Sequence, residues 1–439
     1  MNYQPSMSSR RSFVQRMGVL ALGGLSLPYW MPRLFFAAPD VPSRGDVLIC
    51  IFLRGAMDGL SAVVPYIEAG YHDRRPTIAV PDSAVLDLDG RFGLHPAMAP
   101  LLDIWQAKEL AIVDAAGSPD PTRSHFDAMD YMERGTPGEK LVGTGWIGRH
   151  LQTLASENDS PFRAVGMGAM LQTSLRGPVP ALALQSIADF HLRGREGEIA
   201  QVQTTLAQLY TAGDGAGTPL AQQAVQTLNA IDFLESADPL QYEPQHGAVY
   251  PEDEFGLGLR QVAQLIRADV GLEVACVDAG GWDTHESMGT YEGGRMAGLL
   301  ENLAAALGAF YTDLQDEMGR ICVVTMSEFG RRVQENGSRG TDHGHGNCMF
   351  LIGGGIRGGQ VYGPWPGLAD EQLDRGDLAV ATDYRDVLAE IVQQRLGNDA
   401  LDEVFPGYEP AFLGLADPLE PAFDPHWRIH LPMLVVASP

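Results

Sequence analysis

Gly280-Gly281-Trp282-Asp283-Thr284-His285, Ser327-Glu328-Phe329-Gly330-Arg331 and Asp342-His343-Gly344-His345-Gly346 decide how this chain is read. The first two stretches follow apolar, β-branched runs and the third precedes one. Carboxylates and imidazoles therefore stand where strands enter or leave loops. In an open α/β sheet, that is where ligands and metals bind. A chain that needed only to fold would rarely set so many metal-capable side chains on glycine-rich loops.

Outward from these stretches, strands and helices alternate. Val47–Leu53, Leu110–Val113, Ala164–Gly168, Val179–Leu184, Glu273–Val277, Ile321–Met326 and Met349–Ile352 read as strands. Helical spacing is predicted over His95–Ala107, Ser124–Glu133, Trp146–Leu154, Phe255–Ala268, Met296–Met318 and Asp383–Arg395. The alternation predicts an α/β three-layer sandwich, a mainly parallel central sheet with helices on both faces. Glu196–Tyr210 and Leu220–Leu234 carry no ligand clusters and read as a helical insertion, at about 190–250, in a single domain over 39–439. From about Asp402 a proline-rich tail is expected to wrap the surface.

The first 38 residues read as an export signal. Ser9-Arg10-Arg11-Ser12-Phe13-Val14 is a twin-arginine motif, and the apolar stretch from Met17 to about Trp30 carries Gly18, Gly23, Gly24 and Pro28. That stretch is short for a membrane span, which needs about 20 residues. The expectation is a periplasmic or extracellular protein, passed by the twin-arginine translocon, with no stable membrane span in its mature form.

Composition narrows the partners. The chain has 439 residues, 45% of them hydrophobic, and a formal charge of −26. Loss of residues 1–38 removes Arg10, Arg11, Arg16 and Arg33 and no acid, which moves the charge to −30. Such a body repels nucleic acid and anionic membranes. Lys108 and Lys140 are the only lysines, so any anion site must use arginine, backbone N–H groups or metal. Cys50, Cys276, Cys322 and Cys348 form no C-x-x-C pair, and the first three lie in apolar runs. They are expected as buried core thiols.

The candidate site residues are read one by one. Asp58 leaves the first strand in a loop with Gly55 and Gly59, where a carboxylate serves equally as a metal ligand or as a turn residue bonding its own backbone. Ser124 opens a helix, where a hydroxyl can act as a nucleophile near free N–H groups. The competing reading is a plain helix cap. Arg123 and Arg331 are candidates for holding a phosphate or sulfate group. Asp283 and His285 are separated by one residue, so in an extended loop both can reach one cation; an Asp–His bond that fixes the loop is the alternative. Glu328 is a candidate oxygen ligand. Asp342, His343 and His345 form the densest cluster of metal-capable groups.

Together with Leu53-Arg54-Gly55-Ala56-Met57-Asp58-Gly59-Leu60, Arg123-Ser124-His125-Phe126 and Gly145-Trp146-Ile147-Gly148-Arg149, these stretches make the chain recognisable. It resembles an uncharacterised, twin-arginine-exported bacterial family, labelled a domain of unknown function, within the alkaline phosphatase/sulfatase superfamily. The resemblance implies a helix-flanked sheet, one or two divalent ions (zinc, manganese or magnesium) and hydrolysis of a small anionic ester. It implies Asp58, Asp283, His285 and His343 as metal ligands, His345 as a rival to His343, and Ser124 as nucleophile. One departure stands out: Phe329 occupies a place where active members carry histidine. Two functions remain open at this point. One is a metal-dependent phosphate or sulfate ester hydrolase; the other is a non-catalytic binding or assembly protein that keeps the fold.

Overall fold

The computed structural model describes residues 46–154, 156, 158, 160–187, 199–211, 224–225, 227–228, 230–231 and 242–419. The leader expected over 1–38, most of the helix expected over Leu220–Leu234 and the chain beyond 419 lie outside the described residues.

Nine strands form the main sheet among the described residues. They are β1 (Val47–Leu53), β2 (Leu110–Gly117), β3 (Ala164–Met167), β4 (Leu182–Leu184), β5 (Val274–Ala279), β6 (Ile321–Met326), β7 (Asn347–Gly353), β8 (Gln360–Tyr362) and β9 (Thr382–Asp383). Their order is β8-β2-β7-β6-β1-β5-β3-β4, with β9 paired to β2. All run parallel except β7, which opposes both β2 and β6. Seven consecutive apolar residues in β1 are all buried, the pattern of a strand covered on both faces.

The two faces of β1 enter different cores. Ile49 and Ile51 pack with Leu259 and Val262 of helix Glu254–Arg267 and with Leu300, Leu303 and Phe310 of helix Arg295–Asp313. Leu48, Cys50 and Phe52 pack with Trp146 and Leu151 of helix Trp146–Thr153 and with Val387 and Ile391 of helix Tyr384–Gln394. That is the three-layer arrangement expected from the alternation, with one strand reversed. All four cysteines are buried and free. No helix among the described residues is long and apolar enough to cross a membrane.

The helix expected over His95–Ala107 is broken. Pro96–Leu101 is a tight 3₁₀ segment and only Leu102–Gln106 is α-helical. Pro100 lacks the N–H that a continuous helix would need there. The stretch from Asp402, expected as a surface tail, is described only to residue 419; its start lies in a short helix, Leu401–Val404, and Phe405 and Leu415 are buried.

His150 shows what this packing does at low pH. Its Nδ1 accepts from Asn398 Nδ2 at 3.0 Å, and burial pushes its pKa down from 6.5 to about 4. As pH falls the unfolded chain takes the proton first, so stability present above pH 6.5 is lost on the way to pH 4. By pH 5 the loss from this one group is about 2 kcal/mol. Urea unfolding at pH 7.5 and pH 5 should show a larger drop in the wild type than in His150→Gln. Equal drops would remove His150 as the cause.

Candidate metal centre

Parallel strands bring their C-terminal ends to one edge of the sheet. β1 exits there into 54–58, β5 into Gly280–His285, β6 into Ser327–Gly330, and β2 into the loop that leads to helix α1 (His125–Arg134). Because β7 runs the other way, the residues before it, Asp342–Gly346, reach the same edge. Glycines let these loops touch. Gly55 has φ +112°, and a Cβ there would sit 2.7 Å from the Asp283 nitrogen; at Gly330 a Cβ would sit 1.8 Å from the Gly346 carbonyl oxygen. Asn347, at the start of β7, donates to the carbonyls of Met57 and Phe329 at 3.0 Å each, tying the β1 and β6 exits together.

At this junction three imidazoles and a carboxylate converge. His343 Nε2 lies 2.9 Å from His125 Nε2 and 2.9 Å from His285 Nε2. Asp283 Oδ1 lies 3.1 Å from His285 Nε2, 3.5 Å from His343 Nε2 and 3.7 Å from His125 Nε2. The opposite ring nitrogens all face oxygen acceptors. His343 Nδ1 is 2.9 Å from the Arg123 carbonyl, His125 Nδ1 is 2.7 Å from Glu328 Oε1, and His285 Nδ1 is 3.2 Å from Asp342 Oδ1. A carbonyl or carboxylate oxygen can only accept, so each Nδ1 carries a proton, and a ring in its neutral form turns its Nε2 lone pair inward.

Three imidazole nitrogens and one carboxylate at these separations need either shared ring protons or a metal cation among them. A tetrahedral ion with bonds of about 2.0–2.1 Å separates its ligands by roughly 3.4 Å. The observed 2.9–3.7 Å spread brackets that value. His125, Asp283 and His343 lie close enough together to hold one divalent ion, and His285 stands beside this trio against His343 and Asp283. The acceptors behind each ring supply the support that metal-bound histidines use.

Electrostatics agree. Burial would raise the Asp283 carboxyl, but the hydrogen bond and charge of Arg331, with His285 and His125 beside it, hold it below its ordinary value. Burial, opposed by the bond to the Arg123 carbonyl and reinforced by His125, Arg331 and His285, lowers His343. Both shifts favour the metal-binding forms, a carboxylate and a neutral ring. His285 and Asp283 are the exposed side of the cluster, at 41% and 49%, so its mouth opens to solvent there.

Several expected ligands have other tasks. Asp58 is fully buried, and both its oxygens face Arg75, at 2.8 and 3.1 Å. A guanidinium thus takes the place a metal would need, because an ionised carboxylate at zero exposure requires a partner. Glu328 stands behind His125 and also accepts from the Gly55 nitrogen at 2.8 Å. Asp342 stands behind His285 and is held by Asn336 at 3.0 Å. His345 points away: its Nδ1 faces Asp374 Oδ2 and its Nε2 faces the Ser118 carbonyl, each at 3.0 Å. The strand Thr341–His343 ends before Gly344, so the alternation that would align His343 with His345 is broken.

The two arginines expected to hold an anion differ. Arg331 is buried, donating to the Ala56 and Thr341 carbonyls at 2.7 and 3.1 Å and to Asp283 at 2.6 Å. It clamps three loops and neutralises Asp283, which leaves it no free face for a substrate. Arg123 is partly exposed and pairs with Asp377. Ser124 sits at the N-cap position of α1 but makes no capping bond; its side chain meets Asp127. Phe329 lies against His125 and His343, with ring centres 4.9 and 5.0 Å away, and forms an apolar wall of the cluster. His125 was not among the expected ligands. Its signal was its place as the first residue of a helix at a strand's exit loop, beside Ser124.

The family described as "Protein of unknown function (DUF1501)" matches residues 90–407, a span that contains all four converging residues. No curated protein matches the sequence. Among solved structures the chain is similar to the PsFucS1 sulfatase from Pseudoalteromonas sp., at 10% identity over 85% of this chain and 74% of that one, TM-score 0.36. It is similar to the C-terminal periplasmic domain of EcEptC from Escherichia coli, in complex with Zn, at 10% identity over 84% and 88%, TM-score 0.36. A mutant of the alkaline phosphatase PafA is similar at 10% identity over 66% and 64%, TM-score 0.31.

Proposed function

Because the chain belongs to the DUF1501 family, whose function is unknown, its role must be argued from the cluster, and we propose a metal-dependent hydrolase of phosphate or sulfate esters. The observation that carries this reading is the convergence of three Nε2 lone pairs on Asp283 with every Nδ1 held from behind. His125, His285, His343 and Asp283 would hold the ion. Three nitrogens and one carboxylate favour zinc over magnesium, which prefers oxygen. When bound, such an ion supplies Lewis acidity to an ester oxygen.

The chain supplies the rest. The Ser124 hydroxyl is not spent on capping and stands at the positive end of α1, where a developing oxyanion is stabilised. We assign it the attack on phosphorus or sulfur: the hydroxyl proton passes to Asp127, which the Ser124 side chain meets, the ester's alcohol leaves with a proton from solvent, and water then cleaves the seryl ester to release phosphate or sulfate. Phe329 and the buried side of the cluster keep water from that flank. Arg331 holds Asp283 in place throughout. Export by the twin-arginine route, and hence a periplasmic or extracellular location, belongs to this proposal and is tested by fractionating cells that lack that translocase.

An aryl phosphate and an aryl sulfate assay tests the chemistry. Hydrolysis should vanish with a chelator and return with added zinc. Ser124→Ala should lose at least about a hundredfold in kcat while zinc affinity stays unchanged. Glu328→Gln should weaken zinc about ten- to a hundredfold by loosening His125. Zinc bound without turnover of either ester would leave a non-catalytic binding protein, the reading that Phe329 favours.

A further inference from the structure

Beside the cluster lies a group of arginines that the proposed chemistry does not use. Asp377 is fully buried and takes Arg123 on one oxygen and Arg332 Nε, at 3.2 Å, on the other. Arg332 Nη2 also donates to the Arg375 carbonyl at 2.7 Å, and Arg375 Nε lies 3.4 Å from Asp374 Oδ1. The remaining Asp374 oxygen faces His345. Each oxygen of both carboxylates therefore already has one partner, although each keeps a further lone pair. The guanidiniums keep more spare capacity, since each carries five N–H donors and the bonds above use at most two on any one.

Three further facts mark this place. Arg123, Arg332 and Arg375 keep 35%, 39% and 69% of their side chains exposed. Arg123 Nε is buried with no hydrogen-bond partner. The three arginines gather here, against Asp374 and Asp377 and with Asp342 in electrostatic reach of Arg332, on a chain of net charge −26. It is joined to the metal ligands through the backbone, because the Arg123 carbonyl holds His343 and Arg332 follows the Arg331 that holds Asp283. Yet the Arg123 guanidinium turns to Asp377 and not to the cluster.

The geometry points to a second anion subsite, formed by Arg123, Arg332 and Arg375, that takes an anionic group of the substrate other than the one at the metal. The substrate class is then an ester carrying a second sulfate, phosphate or carboxylate beside the bond that breaks. This rests on the hydrolase reading only for where that bond lies; anion binding itself does not.

Inorganic sulfate is the probe, titrated by calorimetry into the zinc-loaded full chain at low ionic strength. Sulfate affinity should fall about tenfold in Arg375→Gln, on an exposed loop, and in Arg332→Gln, with zinc stoichiometry unchanged in both. It should persist in His285→Ala, which disables the metal centre alone. Unchanged affinity in both arginine variants overturns the subsite. So does loss of sulfate binding in His285→Ala, since the anion would then sit on the metal. Failure of the hydrolase reading would appear separately, as absent zinc binding or absent turnover with sulfate binding intact.

Discussion

Zinc affinity should fall on the order of a thousandfold when His343 is replaced by alanine. His343 is the middle ligand, within 2.9 Å of both other imidazole nitrogens, so its loss splits the cluster. Structural zinc sites bind with roughly 10–16 kcal/mol shared over four ligands, which gives each ligand several kcal/mol. His345→Ala is the matched control. Both of its nitrogens are engaged by Asp374 and Ser118, and zinc affinity should stay within a few-fold of wild type. Competition with a chromophoric chelator measures both. Less than a tenfold loss in His343→Ala, or equal losses in the two variants, would place the ion elsewhere.

The largest stability effect should come from Asp58. Its replacement by alanine leaves Arg75 buried with donors to Val333 and Arg332 carbonyls, at 2.9 and 3.0 Å, but no counter-charge. Breaking a buried ion pair from one side costs about 3–5 kcal/mol. Denaturant unfolding of Asp58→Ala should show that drop, while zinc affinity of the folded fraction remains as in wild type. The reverse pattern, stable protein with zinc lost, would make Asp58 a ligand and Arg75 incidental.

These two residues also show what a sequence can and cannot convey. The buried runs were legible because a strand covered on both faces must be apolar throughout, and Val47–Leu53 and Ile321–Met326 stand where expected. The edge that bears the site was legible because loops rich in glycine, histidine and carboxylate follow those runs. Asp283 and His285, one residue apart, do meet, Oδ1 to Nε2 at 3.1 Å, a contact that serves a shared cation or a loop-fixing bond alike. Individual partners were less legible. Nothing local to Asp58 announces a guanidinium 17 positions on, and nothing local to His125 announces His343, 218 positions away. The spacing of His343 and His345 misled, since alternation holds only while the strand lasts and the strand stops at His343.

Elemental analysis of the full chain, purified without chelator, tests the central claim most directly. The account predicts one divalent ion per chain, retained in His345→Ala and in Asp58→Asn, and absent from His343→Ala. A chain that carries no ion, or one that keeps its ion after His343 is removed, would contradict it.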